Sequence, residues 1–270
     1  MNECFLEVFD SDDFFKSFAV SFGRMILRKP ELLLKIYEDT GINGYKELFE
    51  ELKSKTDLSD ILRNVNKQVE KYDWSVIEQT YSTWGKYGWV AEPFIVPVGF
   101  WGYCPNSQVE ADKLVMQALD KKEFLKLKTK LFEIANNKIF AEAMLCFDSK
   151  CYSACASLLI SLIDGKLIRN GYLPNENKKT GMKAGKRVVK EISKDDMYGL
   201  SGFFHLELLN YDSFITTLFQ NASGFEKEPN HINRNYLQHG MSKRKVLRRD
   251  CVKLIIAYYQ TFHLLRELCD

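Results

Sequence analysis

Proline is scarce in this chain, six in 270 residues, and no apolar run approaches the roughly 18 residues that would span a bilayer. The first shortage excludes proline-rich spacers and, with Lys and Glu plentiful, favours helix. The second excludes a membrane-spanning helix. The N-terminus, Met1-Asn2-Glu3-Cys4, is acidic where a secretory leader would be basic, so the expected compartment is the cytoplasm. Seven cysteines, at 4, 104, 146, 151, 155, 251 and 269, are odd in number and too scattered for a disulfide framework. Cys151 and Cys155 lie four apart with Cys146 just upstream, but no Cys-x-x-Cys or His pair completes a tetrahedral zinc site. Reduced, mostly buried thiols are expected instead. No acidic cluster has metal-ligand spacing, so no cofactor is expected. No repeat of fixed length supports a solenoid.

A dominant charge of one sign is also lacking, since the net is only +2, but the two parts of the chain differ. Residues 1–148 carry 19 basic against 24 acidic side chains, and residues 149–270 carry 19 against 12. The basic surplus of the second part fits a polyanionic partner there. The two parts correspond to the division expected for the chain, an N-terminal helical region, 1–148, and a C-terminal helical domain, 149–270.

What is present in quantity is helical periodicity, and the fold class expected is all-α. In the first region Ser11 reads as an N-cap, followed by the stripe Phe14, Phe15, Phe18, Phe22 and Met25. Pro30 opens a second helix that runs to about residue 39, and Leu58, Ile61, Leu62, Val65, Val69 and Tyr72 make a third stripe. Residues 84–106 differ in kind, threading Trp84, Trp89, Phe94, Phe100, Trp101 and Tyr103 among four Gly and three Pro, which predicts a long loop or short hairpin. Such a loop either stacks nucleobases or plugs two helical layers. Ser107 should cap a helix to Leu119, with further helices over about 121–137 and 138–147.

In the second region a helix is expected over 149–170, its small-residue run Ser153-Ala154-Cys155-Ala156-Ser157 permitting close packing. Residues 171–194 form a basic connection holding Lys178, Lys179, Lys183, Lys186, Arg187, Lys190 and Lys194, with Gly171, Gly181 and Gly185 expected to keep part of it flexible. Such a segment can grip phosphates. Further on, Ser242 can cap a last helix whose seam runs through Leu247, Cys251, Leu254, Tyr258, Leu265 and Leu268, broken at Thr261. The seam suits burial against the 149–170 helix or a second protomer. Lys243, Arg244, Lys245, Arg248 and Arg249 would crowd its first two turns, where the helix dipole favours acids, and positive charge beside a functional motif would account for that.

The motif is Asn230-His231-Ile232-Asn233-Arg234-Asn235-Tyr236-Leu237-Gln238-His239-Gly240. Arg234 is a permanent cation, His239 can move a proton near neutral pH, and Asn235 can orient either. Five residues separate Arg234 from His239, about 140° on a regular helix. The two therefore do not converge fully unless the helix breaks near Gly240.

Arg, a polar residue, three more residues, then His and Gly before a long last helix resembles the signature of HEPN ribonucleases, small helical domains of toxins, abortive-infection proteins and CRISPR effectors. The resemblance covers residues 149–270. It implies an antiparallel helical bundle and metal-independent cleavage of RNA by 2′-OH attack, leaving 2′,3′-cyclic phosphate and 5′-OH ends. It assigns Arg234, Asn235 and His239 to the catalytic centre, with Asp164 near the end of the first long helix as an orienting acid and His231 as a nearby assistant. It also implies a homodimer or higher oligomer with a composite site, and an antitoxin or defence-complex partner. Lys183, Lys186, Arg187, Lys243, Arg244, Lys245 and Arg248 are the expected RNA contacts. The alternative is a non-catalytic HEPN-like module that binds RNA or a partner protein. Residues 1–148 carry no resemblance and are left the roles of sensing, restraint or oligomerisation.

Overall fold

The computed structural model describes residues 74–92, 96, 98–135, 137–170, 180–193 and 202–266. The helices expected between Ser11 and Tyr72, together with Phe94, Gly171, Lys178, Lys179, Lys194 and Leu268, lie outside them. The described residues form nine α-helices and two 3-10 turns, without a strand. The α-helices are α1 (Trp74–Lys86), α2 (Gln108–Ala118), α3 (Lys121–Ala135), α4 (Lys138–Asp148), α5 (Tyr152–Asn170), α6 (Met182–Ser193), α7 (Gly202–Leu218), α8 (Arg234–Gln238) and α9 (Arg248–Arg266). The protein is all-helical over this range, and no described helix is long and apolar enough to cross a membrane.

The chain divides into two compact units, residues 1–77 with 195–205 and residues 78–194 with 206–270. The boundary expected at 148/149 falls inside the second unit, where α4 packs directly on α5. Most of the described residues belong to this second unit.

Helix α5 is its centre and touches α4, α6, α8 and α9. Contact on several sides requires an apolar circumference, and Cys155, Ala156, Leu159, Ile160, Leu162, Ile163 and Leu167 are all buried. Helix α9 is similar: Cys251, Val252, Leu254, Ile255, Ile256, Ala257 and Tyr258 are buried, and its seam is taken up by α5. Thr261, the break in that seam, is fully buried and satisfied, its Oγ1 lying 2.6 Å from the Tyr211 hydroxyl and donating to the Ala257 carbonyl at 2.7 Å. Cys155 and Cys251 meet between α5 and α9, and their mutual hydrogen bond, then burial, push the Cys251 thiol up. Cys104 and Cys151 are exposed, however, so burial of the thiols is only partial.

The aromatic segment is the plug of the two readings. Trp84, Trp89 and Trp101 are fully buried, and the Trp84 ring meets Trp101 edge-on at 5.2 Å and Phe100 at 5.3 Å. Trp84 and Gly85 belong to α1 rather than to a loop. Gly85 is required there, because a Cβ would sit 2.2 Å from the Asn210 carbonyl oxygen. Gly88, at φ +79°, ends the helix, and the Trp89 N–H returns to the Trp84 carbonyl at 3.0 Å. Asn210 then fixes the following strand of chain with its whole amide: Nδ2 donates to the carbonyls of Tyr81 and Trp89, and Oδ1 accepts from the Ala91 N–H.

The cap expected at Ser107 is observed, and Asn137, expected as the last residue of the preceding helix, caps the next one instead. Ser107 accepts from the Glu110 N–H at the start of α2, and Asn137 accepts from the Ile139 N–H at the start of α4. The start of the last helix is a correction. Residues 241–247 are not helical, Ser242 bonds to Glu228 instead of capping, and α9 begins at Arg248. The acid the dipole calls for is present as Asp250 in the first turn, its Oδ2 accepting from the Leu247 N–H at 2.8 Å. The apparent excess of cations therefore arose from starting the helix too early. The expected flexibility of Gly185 is corrected too: it lies in α6, where a Cβ would come within 2.4 Å of Ile215 Cγ2, so it serves close packing.

Candidate active site

Helix α8 is one turn long and is held from three directions. Its N-cap is Asn233, whose Oδ1 accepts from the N–H groups of Asn235 and Tyr236. The same side chain donates from Nδ2 to the Gln220 carbonyl just beyond α7, and Asn235 Nδ2 donates to that carbonyl as well, at 2.9 and 3.1 Å. At the far end Gln238 donates to the Ser157 carbonyl at 2.9 Å, and its Nε2 lies 3.3 Å from Ser161 Oγ, both on α5. Gly240, at φ +68°, closes the turn, with the Met241 N–H bonded to the Tyr236 carbonyl at 2.8 Å. A single helical turn has little stability of its own. These side-chain bonds and the buried Ile232 and Tyr236 supply it.

Arg234 is part-buried. Its Nη1 donates to Asn235 Oδ1 at 3.2 Å, and its Nη2 stands 3.7 Å from Asp164 Oδ2. The second contact is an ion pair rather than a hydrogen bond. Asp164, only 8% exposed near the end of α5, accepts from the Gly181 N–H at 2.9 Å through its other oxygen. Gly181, at φ +58°, stands at the entrance to α6, so one buried carboxylate ties the arginine to the start of the basic helix. Most of the guanidinium's five N–H donors remain available to a ligand.

His239 is exposed and forms the C-cap of α8. Its ring makes no hydrogen bond to a described residue and packs edge-to-face on Phe225, centroids 5.7 Å apart at 73°. Phe225 packs in turn on the buried Tyr236 at 5.1 Å and 80°. Phe225 has φ +62° and follows Gly224 at +72°, a left-handed backbone that costs a side-chain-bearing residue about 1 kcal/mol or more. Arg234 and His239 therefore engage different neighbours. The helix does break beside Gly240, yet within one chain the two side chains make no bond to each other. Of the two side chains Asn235 could orient, it engages the arginine and not His239: its amide is taken by Arg234 and Gln220.

His231 lies apart from this pair. Burial first, then the charges of Lys253 and Arg244, push its imidazole down to about 4, while a bond to the Thr217 backbone opposes the shift. Near pH 7 it is neutral, which suits a structural part better than help in proton transfer. The unfolded chain takes up a proton at His231 below about pH 6.5 whereas the folded chain does not until about pH 4, so stability falls with pH across that window. The loss expected is about 1–3 kcal/mol after solvent screening of a half-buried ring. Urea unfolding at pH 7.0 and 4.5 should show it, and His231→Gln should reduce the difference; an unchanged difference in the variant would remove His231 as its cause.

The expected RNA contacts divide into free and engaged cations. Lys183, Lys243 and Lys245 are exposed and make no ion pair with a described residue, and Arg248 is exposed with its guanidinium 5.4 Å over the Phe147 ring. Lys186 is paired with Asp212, and Arg187 is half-buried. Arg244 is a correction, since its Nη2 binds both oxygens of the buried Asp250 at 3.1 and 3.0 Å. An acid 2% exposed needs that partner, so Arg244 braces the turn before α9. Across this turn Glu228 accepts from the Ser242 hydroxyl and from the N–H groups of Lys243 and Arg244. Burial works to raise its carboxyl, but these bonds prevail and hold it below the usual carboxylate range.

Sequence reasoning missed Asn233, Phe225, Glu228 and Gln238. Asn233 was legible as an Asn directly before a helical turn. The others act through contacts distant in the chain, for which no local signal exists. Among the described residues no group of three or more His, Cys, Asp or Glu is placed to hold a metal ion. Comparison with protein-family models, with curated proteins and with solved structures yields no match.

Proposed function

We propose that this chain is a metal-independent endoribonuclease of HEPN type, acting in the cytoplasm as a dimeric toxin or antiviral effector under the control of an antitoxin or defence-complex partner. The observation that carries the reading is Arg234, backed by the buried Asp164 and with donors to spare, on the same one-turn helix as the exposed imidazole of His239. In this reading the 2′-OH of RNA attacks the adjacent phosphorus, forming the new P–O bond as the 5′-oxygen leaves. His239 takes the hydroxyl proton or supplies one to the leaving oxygen, with water in the other role. Arg234 offers its free N–H groups to the charge developing on the phosphorane. Asn235 aims Arg234. Lys183, Lys243, Lys245 and Arg248 supply a salt-dependent attraction for the RNA backbone.

A second reading, an RNA- or protein-binding module without catalysis, is favoured by one observation: Arg234 and His239 do not meet within a chain. Incubation of labelled transfer and messenger RNA with wild type and His239→Ala in EDTA separates the two. Cleavage by wild type alone, with cyclic-phosphate ends, is the expected result. RNA bound by both proteins and cut by neither, in cells as well as in the tube, would favour the binding module.

A further inference from the structure

We propose that Phe225 is a positioning residue for His239, a role that rests on the ribonuclease reading for its purpose but not for its geometry. The backbone of His239 is already fixed, as the C-cap of α8 with Gly240 closing the turn behind it. Its imidazole is not fixed by any bond: it is exposed, and no described residue accepts from or donates to it. A proton-transfer group free to turn spends most of its time out of line with its target, and a small misplacement costs a large factor in rate. The edge-to-face contact with Phe225, at 5.7 Å, supplies the missing constraint.

Phe225 is in turn well placed to impose it. Its other ring contact is the buried Tyr236, which lies in the third turn position of the same short helix, so the row Tyr236, Phe225, His239 joins a core anchor to an exposed imidazole. The backbone at Phe225 is left-handed, and its N–H is held by the Ala222 carbonyl at 2.7 Å. Glycine would adopt that conformation without strain. A phenylalanine kept there indicates that the ring, rather than the turn, is what the position serves. Because an aromatic ring contributes shape and an edge without a charge, it orients the imidazole while leaving both nitrogens open to the reacting oxygens.

The test pairs a spectroscopic readout with a kinetic one on the full chain. In wild type, NMR should show Overhauser contacts between the ring protons of Phe225 and His239. Phe225→Leu, which keeps apolar bulk but not the ring, should move and broaden the His239 ring signals, while Phe225→Tyr should leave them near their wild-type positions. In cleavage assays Phe225→Leu should lower kcat about ten-fold with KM changed by no more than about two-fold, and Phe225→Tyr should recover most of the rate. His239 signals that stay in place in Phe225→Leu would overturn the proposal. The spectra decide the placement of the imidazole whatever the assay returns, so a wild type that cuts no RNA would count against the ribonuclease reading alone.

Discussion

Asp112→Ala is expected to destabilise the second unit by about 3–5 kcal/mol, the range found when one member of a buried ion pair is removed. Asp112 is 6% exposed, and Lys253 opposite it is 3% exposed. One carboxylate oxygen accepts from the Trp89 indole at 3.0 Å and from Gln108 at 3.0 Å and pairs with Lys253 Nζ at 2.6 Å. The other faces Arg249 at 2.9 Å. Burial works to lower the lysine's proton affinity and Asp112 works to restore it, with burial prevailing. Without the acid, Lys253 keeps, among the described residues, the Tyr87 carbonyl at 2.8 Å, the face of the Trp89 ring at 4.9 Å and the charge of Asp250. The pair also joins α2 and the end of α1 to α9, so the damage would reach three elements. The buried tryptophans make fluorescence-detected urea unfolding the natural measurement. Replacing both partners, Asp112→Leu with Lys253→Met, should recover a good part of the loss, since an apolar pair carries no desolvation penalty. A single variant within about 1 kcal/mol of wild type would mean that the cluster is already solvated.

The features legible in the sequence were those in which a local pattern and the tertiary structure ask for the same thing. The cap at Ser107, the close-packing helix over 149–170 and the break at Gly240 are of this kind. Asp164, the acid that the resemblance singled out, stands 3.7 Å from Arg234. The errors arose where a local signal had two physical causes. Ser242 before a run of cations reads as a cap, but its hydroxyl is claimed by Glu228, 14 residues earlier in the chain, and the true helix start is set by Asp250 reaching back to Leu247. Glycines 181 and 185 read as flexibility, but one is a left-handed helix entrance and the other a close approach to Ile215. Charge asymmetry read as free positive charge in the second part, although Asp112 in the acidic part is neutralised by Lys253 and Arg249 in the basic part. That pairing also lowers the number of basic side chains left for a polyanion: Arg244, Arg249, Lys253 and Lys186 answer acids of their own chain. Among the described residues the free positive surface is therefore smaller than the formal surplus; Lys183, Lys243, Lys245 and Arg248 belong to it, on either side of the α8 turn in sequence.

Mixing Arg234→Ala with His239→Ala protein should restore RNA cleavage that neither variant shows alone. Each single change is expected to cost about 100-fold to 1,000-fold in rate, the arginine through lost stabilisation of the phosphorane and the histidine through lost proton transfer. Within one chain Arg234 is committed to Asp164 and Asn235, while His239 is committed to Phe225, and four residues and a helix end lie between them. If a site takes its arginine from one protomer and its histidine from the other, a mixed dimer contains one site with both intact and one with neither. Random exchange makes half the dimers mixed, so recovery should approach about a quarter of wild-type activity. A site complete within a single chain would give no recovery at any mixing ratio, and the separation of Arg234 from His239 would then have to close on binding RNA. Arg234→Lys in place of Arg234→Ala adds a check on the role of the arginine. Lysine keeps the charge beside Asp164 but not the fork of donors, so it should preserve RNA binding while leaving most of the rate defect in place.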